Sequence, residues 1–413
     1  MITEVVKWLE ENYGHWPGAG LFNFITFRAS LAIIFSLIIS ILFGGRIIRY
    51  LNRKQVGETV RDLGLSGQKI KEGTPTMGGI IIILSIVIPC LLLGDITNIY
   101  LLLMLISTLW MAIIGFIDDY IKVFKKNKEG LKGWFKIAGQ VVLGLLISIT
   151  MLVHEDIFVR LDKKTALEIG LDHKHQIAVS LEKGKGDYKT NLTNVPFFRE
   201  NRLDYSQLWI NNSPSRILGW IIFIPLVIFI ITAVSNASNL TDGLDGLATG
   251  ISGIIGVVLG IFAYLSGNAI TANYLNILHL PGSGELVIFS ASFIGACIGF
   301  LWHNTYPARV FMGDTGSLAL GGIIASLAIL LRKELLIPVL CGVFFIETLS
   351  VMIQVSYFKY TKKKYGEGRR ILLMSPLHHH YQKKGMHEVT IVTRFWIIAI
   401  LLAVLTIITL KIR

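Results

Sequence analysis

Apolar stretches recur near 22–44, 77–94, 97–117, 135–153, 217–234, 247–265, 285–302, 317–332, 335–357 and 391–410. Each has roughly the length of a helix that crosses the hydrocarbon core of a bilayer, about 20 residues. The pattern predicts an all-α polytopic membrane protein with about ten transmembrane helices, folded as a single integral membrane domain over 1–413. Five short polar clusters interrupt it, each following an odd-numbered span: Lys71 to Thr76, Asp118 to Lys122, Asn236 to Gly246, Phe311 to Asp314, and His378-His379-His380. A chain that changes sides at each crossing therefore delivers all five clusters to one face, which is what a site assembled from loops requires.

The pattern fails in one place. Residues 154–216, between spans 4 and 5, are rich in Lys, Asp, Glu and Asn, and the alternation from His175 to Leu181 predicts short strands. Parity places this small β-rich insertion on the extracytoplasmic side. No catalytic constellation is visible in it, so it is expected to be dispensable for chemistry.

Composition agrees with a bilayer: 53% hydrophobic residues against 16% charged leave too little polar surface for one soluble core of this length. Lysine and arginine set the orientation, because cytoplasmic loops retain them. Arg46, Arg49, Arg53, Lys54, Arg61, Lys69 and Lys71, then Lys122, Lys125, Lys126, Lys128, Lys132 and Lys136, then Lys359 to Lys364, Arg369, Arg370, Lys383 and Lys384 all follow odd spans. Arg332-Lys333 is a minor exception. Both termini are thus expected to be extracytoplasmic, with Trp8 and Trp16 in an interfacial segment ahead of the first span, and the clusters cytoplasmic. The net charge of +12 is mostly this topological bias, which also attracts anionic lipid headgroups. No soluble basic surface interleaved with aromatics is present, so nucleic acid is not an expected partner. Cys90, Cys297 and Cys341 lie inside apolar runs without metal-ligand spacing and read as inert buried thiols.

The clusters carry the chemistry. Asp118 and Asp119 close the third span; adjacent acids also mark an ordinary helix end, but carboxylates at membrane depth are costly and point to function. They can hold Mg2+, or divide into a ligand and a base. Asn236 to Gly246 repeats Asp-Gly, suited to a plain turn or to a polar sugar or nucleoside approaching the backbone. Asp314, between Gly313 and Gly316 ahead of an apolar helix, places backbone N–H groups toward a phosphate while its carboxylate takes a metal. Three consecutive histidines cannot converge on one zinc ion, but they can donate to phosphate oxygens. Hard-metal acids, phosphate-binding cations and a nucleoside loop together imply phosphoryl transfer at a membrane surface. A transporter would put its site near the midplane on broken helices rather than at loop ends on one face.

Gly73-Thr74-Pro75-Thr76-Met77-Gly78-Gly79, Asp118-Asp119, Asn236 to Leu247, Pro307 to Leu318 and Pro376-Leu377-His378-His379-His380 together closely resemble the bacterial phospho-N-acetylmuramoyl-pentapeptide-transferases, a family within the polyprenyl-phosphate N-acetylhexosamine-1-phosphate transferases. The resemblance covers nearly the whole chain outside 154–216. It implies transfer of phospho-N-acetylmuramoyl-pentapeptide from its UDP-linked precursor to undecaprenyl phosphate, giving lipid I and UMP, at the cytoplasmic face of a bacterial inner membrane. The runner-up is a UDP-N-acetylglucosamine:polyprenyl-phosphate N-acetylglucosamine-1-phosphate transferase, though such relatives usually show a different histidine pattern. Carried over position by position, the resemblance makes Asp314 the Mg2+ ligand, Asp118 the base on the lipid phosphate, Asp119 its essential neighbour and His378 a required histidine. It places Asn239, Asp242, Asn304 and Phe311 along the nucleoside, and Lys71, Thr76, Lys122, Asp245, Gln354 and His379 around the phosphates or sugar. A second copy of the chain is a candidate partner.

Overall fold

The computed structural model describes residues 18–54, 71, 73–127, 129–168, 171, 176–179, 184–196, 201–208 and 216–411, with isolated positions before residue 18. Trp16, Arg61, Lys69, Glu72 and Lys128 lie outside the described residues.

The main helices are α1 (Ile25–Arg53), α2 (Gly79–Leu93), α3 (Ile99–Phe124), α4 (Gly133–Val153), α5 (Arg216–Thr241), α6 (Leu247–Gly267), α7 (Glu285–Asn304), α8 (Gly313–Leu330), α9 (Gly342–Tyr365), α10 (Leu377–Lys383) and α11 (Glu388–Ile408). Eight of them are long and apolar enough to cross a bilayer among the described residues. Two predicted spans differ from the simple picture. The second is the shorter helix α2, of 15 residues. The ninth is broken: a short segment, Glu334–Leu340, meets α9 at a bend of 74°. The run from 335 to 357 is apolar on both sides of the break, with Glu347 and Gln354 well beyond it, so its composition could not reveal a change in direction.

Local chemistry sets the ends of these helices. The Asn98 side chain accepts from the N–H groups of Tyr100 and Leu101 and so caps α3, and Gly246, at φ 76°, turns the chain into α6. Pro89, buried, and Pro225, exposed, sit inside α2 and α5, where each removes one N–H from the helix ladder. Small residues bring helices into backbone contact: a Cβ on Gly295 would fall 2.7 Å from the Ile33 carbonyl oxygen, and one on Gly299 2.5 Å from Ser40 Cβ, so α7 lies directly on α1. Helix α8 is central, with every residue from Thr315 to Leu330 buried. Cys90, Cys297 and Cys341 are free and buried, as their apolar settings predict.

The insertion contains strands β1 (Val159–Asp162), β2 (Gln176–Val179), β3 (Lys185–Tyr188), β4 (Leu192–Asn194) and β5 (Arg202–Asp204). The first three form an antiparallel sheet in the order β1-β3-β2, and β4 pairs with β5. Of the alternating stretch from His175 to Leu181, the described part is β2. Val159, Leu161, Tyr188 and Leu192 form a small core with Leu278 and Leu280 from the segment before α7.

This insertion grips the far end of α8. Arg332 Nη2 donates to the Thr190 carbonyl at 2.9 Å, Lys333 Nζ to Asn194 Oδ1 at 2.6 Å, and Tyr205 Oη to Glu334 Oε1 at 3.0 Å. The two cations also lie over the rings of Phe223 and Phe262. Arg332-Lys333, which breaks the charge pattern of the loops, is therefore buried by the insertion. Deleting 154–216 behind a short linker would remove these partners and uncover the two cations, and hydrogen bonds to charged groups contribute about 1.5–3 kcal/mol each. The deletion is expected to lower the melting temperature in detergent sharply; an unchanged melting temperature would show that the contacts contribute nothing. The expectation that the insertion is dispensable thus needs a stability term that parity alone does not supply.

Candidate active site

All five polar clusters converge at the end of the bundle opposite the insertion. Backbone hydrogen bonds join the first to the fourth: Phe311 N–H donates to the Pro75 carbonyl, and the N–H groups of Gly78 and Gly79 donate to the Phe311 and Met312 carbonyls, each at 2.8 Å. The approach is close enough that a Cβ on Gly79 would fall 2.2 Å from Gly316 N, and one on Gly115 2.2 Å from the Asp314 carbonyl oxygen. Glycine at these positions lets α2 and α3 touch the start of α8.

The acid centre is built on that contact. Asp119 is 3% exposed and reaches from α3 to the first turn of α8. Its Oδ1 accepts from Asp314 N–H at 3.0 Å, while Oδ2 accepts from Thr315 N–H at 2.8 Å and Thr315 Oγ1 at 2.6 Å. A helix start leaves N–H groups without partners and carries partial positive charge, so Asp119 acts as a cap supplied by another helix and fixes Asp314. Gly313, at φ 71°, turns the chain here, and a Cβ on it would meet Asp119 Oδ2 at 2.6 Å and Thr76 Oγ1 at 3.0 Å.

Asp118 is fully buried; its Oδ1 accepts from Leu131 N–H at 2.7 Å. Two lysines bridge it to Asp314. Lys122 Nζ lies 2.6 Å from Asp118 and 3.2 Å from Asp314, and Lys136 Nζ lies 2.9 Å from Asp118 and 2.6 Å from Asp314. Each acid of the cluster offers an oxygen within 4.8 Å of the others, a hard-donor set suited to a divalent cation. Asp314 is the most accessible of the bridged acids, with 14% of its side chain exposed against none for Asp118.

The third cluster links this centre to two others. Asn239 Nδ2 donates to Asp314 Oδ1 at 3.0 Å and to Ser317 Oγ at 2.8 Å. Asp242 follows in the same turn, its N–H donating to the Asn239 carbonyl at 3.3 Å. Gly243 abuts His378, where a Cβ would fall 2.2 Å from Nε2. Asp245 accepts from Lys71 Nζ at 2.7 Å through Oδ1 and from Ala308 N–H at 2.9 Å through Oδ2. Asn304 caps the end of the loop, accepting from Gly246 N–H at 3.0 Å while Nδ2 donates to the Val310 carbonyl. Phe311 is half-buried beside it.

The histidines take distinct positions. His378 is fully buried, with Nδ1 3.0 Å from Glu347 Oε2 on α9, an arrangement that fixes the ring's orientation toward Gly243. His379 Nδ1 pairs with Gln382 Oε1 at 2.7 Å. Burial first, then the neighbouring His378, pushes His379 down to about 4, so it meets a ligand as a neutral ring at pH 7. His380 turns away and accepts from Leu373 N–H at 3.1 Å through Nδ1. The histidines thus do not converge, as consecutive positions require.

The structure gathers Lys71, Thr76, Asp118, Asp119, Lys122, Asn239, Asp242, Asp245, Asn304, Phe311, Asp314, His378 and His379 around the 239–246 loop and the start of α8. Gln354 is engaged elsewhere: its Oε1 accepts from the N–H groups of Ile371 and Leu372, which fastens the loop before α10. Sequence reasoning did not single out Lys136, Glu347 or Glu388. Lys136 is one of several lysines in a basic loop, and nothing in its spacing marks it as the one that reaches two acids. Glu347 and Glu388 carried a weak signal, as isolated acids in or beside apolar helices.

A family model described as glycosyl transferase family 4 matches residues 101–332, and phospho-N-acetylmuramoyl-pentapeptide-transferase signature 1 matches 71–83. The chain is 59% identical over 416 aligned positions to the phospho-N-acetylmuramoyl-pentapeptide-transferase of Flavobacterium psychrophilum, covering 100% of both proteins. It is 54% identical to that of Flavobacterium johnsoniae over 96% of each, and 53% identical to that of Parabacteroides distasonis over 96% of this chain and 97% of the relative.

Proposed function

We infer the reaction from one premise: the chain belongs to glycosyl transferase family 4 and, within it, to the phospho-N-acetylmuramoyl-pentapeptide-transferases. It is a membrane-bound transferase that moves phospho-N-acetylmuramoyl-pentapeptide from the UDP-linked precursor to undecaprenyl phosphate, releasing UMP and forming lipid I for peptidoglycan synthesis. The single observation that carries the chemistry is the bridged acid centre, Asp118 and Asp314 joined by Lys122 and Lys136 and steadied by Asp119. The N-acetylglucosamine-1-phosphate reading gains no support from these relatives.

Asp314 would hold Mg2+, with the neighbouring acids completing its oxygen surroundings. When bound, the ion offsets negative charge on the diphosphate. Asn239 holds Asp314 in register with the nucleoside loop, and Phe311, Asn304 and Asp242 border the place for the uridine. Lys122 and Lys136, already shared between two carboxylates, can turn to the phosphates without leaving the site. Asp118 serves as the base on the lipid phosphate, its carboxylate oriented by Lys122, Lys136 and the Leu131 N–H. His378 faces the sugar loop, and His379, with Lys71, borders the phosphates or sugar. Direct displacement is favoured because a lipid phosphate is already an anionic nucleophile. The basic loops of this face support a cytoplasmic orientation of the site at a bacterial inner membrane.

The test is direct. Purified protein is incubated with undecaprenyl phosphate and, separately, UDP-N-acetylmuramoyl-pentapeptide or UDP-N-acetylglucosamine, and UMP is assayed. UMP release with the first donor is the expected result; release with the second alone would overturn the donor assignment.

A further inference from the structure

Glu388 stands in the first turn of α11, where an acid is ordinarily explained by the helix dipole. Its contacts go further than that explanation requires. The side chain is 6% exposed, and Oε1 lies 2.6 Å from Lys71 Nζ. The same oxygen accepts from Asp245 N–H at 2.8 Å. Asp245, 2% exposed, holds the other side of the Lys71 ammonium at 2.7 Å. Lys71 also lies 5.7 Å from the centroid of the Tyr306 ring, which His387 meets edge-on. One carboxylate oxygen therefore joins three parts of the chain: the segment before α2, the loop after α5, and α11.

The arrangement has a directional consequence. Lys71 has only 13% of its side chain exposed and carries one positive charge between two carboxylates. Lysine is a flexible point charge whose location depends on its partners, and a buried, charge-assisted contact holds it far better than an exposed one. Glu388 also fixes the backbone of Asp245, one residue before the Gly246 amide that Asn304 caps. Both effects bear on the nucleotide-sugar side of the site. Among the described residues, no hydrogen bond or ion pair joins Glu388 to Asp118, Lys122, Lys136 or Asp314.

We propose that Glu388 is a positioning residue for the UDP-linked donor: it holds the Lys71 ammonium and the Asp245 backbone in the geometry that receives the sugar diphosphate, and leaves the lipid acceptor untouched. The inference rests on the reaction given above.

Glu388→Gln keeps the size of the side chain and an acceptor for Asp245 N–H but loses the charge facing Lys71. Steady-state UMP release is measured with the full-length protein in detergent, varying the UDP-N-acetylmuramoyl-pentapeptide and undecaprenyl phosphate separately. The KM for the donor is expected to rise about tenfold or more, as for a buried contact that loses one charged partner. The KM for the acceptor is expected to stay within about twofold, since Glu388 shares no direct partner with Asp118, Lys122 or Lys136. Glu388→Asp should recover part of the donor effect. In a Lys71→Met background, Glu388→Gln should add less than about twofold, because the partner it holds is gone. An unchanged donor KM, parallel rises in both KM values, or fully multiplicative effects of the two substitutions would each overturn the proposal. If Glu388→Gln does not fold, Glu388→Asp and Lys71→Met carry the same comparison of donor against acceptor. A wild-type protein that releases no UMP would overturn the reaction itself, whereas active wild type beside an indifferent Glu388→Gln overturns only the role of Glu388.

Discussion

Asp314→Ala is expected to abolish UMP release, and the unaltered protein to require Mg2+ or Mn2+. The carboxylate lies at the start of α8, where Asp119 fixes its backbone, Asn239 holds one oxygen at 3.0 Å and Lys136 the other at 2.6 Å. Removing it takes away the most accessible oxygen of the bridged pair and leaves Lys122 and Lys136 sharing Asp118 alone. A divalent ion contributes several kcal/mol of charge stabilisation in phosphoryl transfer, so the loss should be at least about a thousandfold. Asp119 still accepts from the N–H groups of residues 314 and 315, which predicts a folded variant with little change in melting temperature. Full turnover in excess chelator, or an Asp314→Ala variant within about tenfold of wild type, would remove the metal assignment.

Asp118→Asn should lower turnover by about 10²–10⁴-fold, the range for losing a general base, while affinity for the nucleotide stays near normal. The asparagine keeps an oxygen for Leu131 N–H but not the charge that draws Lys122 and Lys136 to 2.6 Å and 2.9 Å. Complete burial of Asp118 gives the rival reading its force: the residue could serve only to place those lysines. The two roles separate by measurement. A base acts in the transition state on the lipid phosphate, whereas misplaced lysines weaken the grip on the diphosphate already in the ground state. Calorimetric nucleotide affinity is read beside a pH–rate profile; the base role predicts near-normal affinity and loss of the acidic limb from the residual activity. Affinity that falls as far as turnover, or turnover that is unchanged, would show that Asp118 is no base.

Much of this was legible in the sequence because a bilayer imposes a strict accounting. Apolar length gives the spans, parity gives the face, and clusters too polar for hydrocarbon must sit at the ends. The ten helical segments and the convergence of five clusters follow from that accounting, and so does the polar insertion with its strands. The bend between Leu340 and Gly342 did not follow, because both arms are apolar and only packing decides their angle. Gln354 illustrates the same limit at one residue: its type suits a polar ligand, yet its oxygen is occupied by the loop at 371–372.

Which residue types reach the polar face was readable from the chain: paired acids near the end of α3, an Asn/Asp/Gly cluster running from the end of α5 into the following turn, an acid at the start of α8, and histidines before α11. Tertiary structure decided what those residues do to one another. That Asp119 caps α8 while Asp118 meets two lysines depends on a one-residue rotation around α3, which adjacency in the chain does not specify. Lys136 emerged from a row of similar lysines, and Glu388 from a row of helix-end acids, because each reaches partners far away in sequence. Electrostatic contact depends on distances of a few ångströms between side chains, and those distances are fixed only when α3, α5, α8 and α11 are packed together.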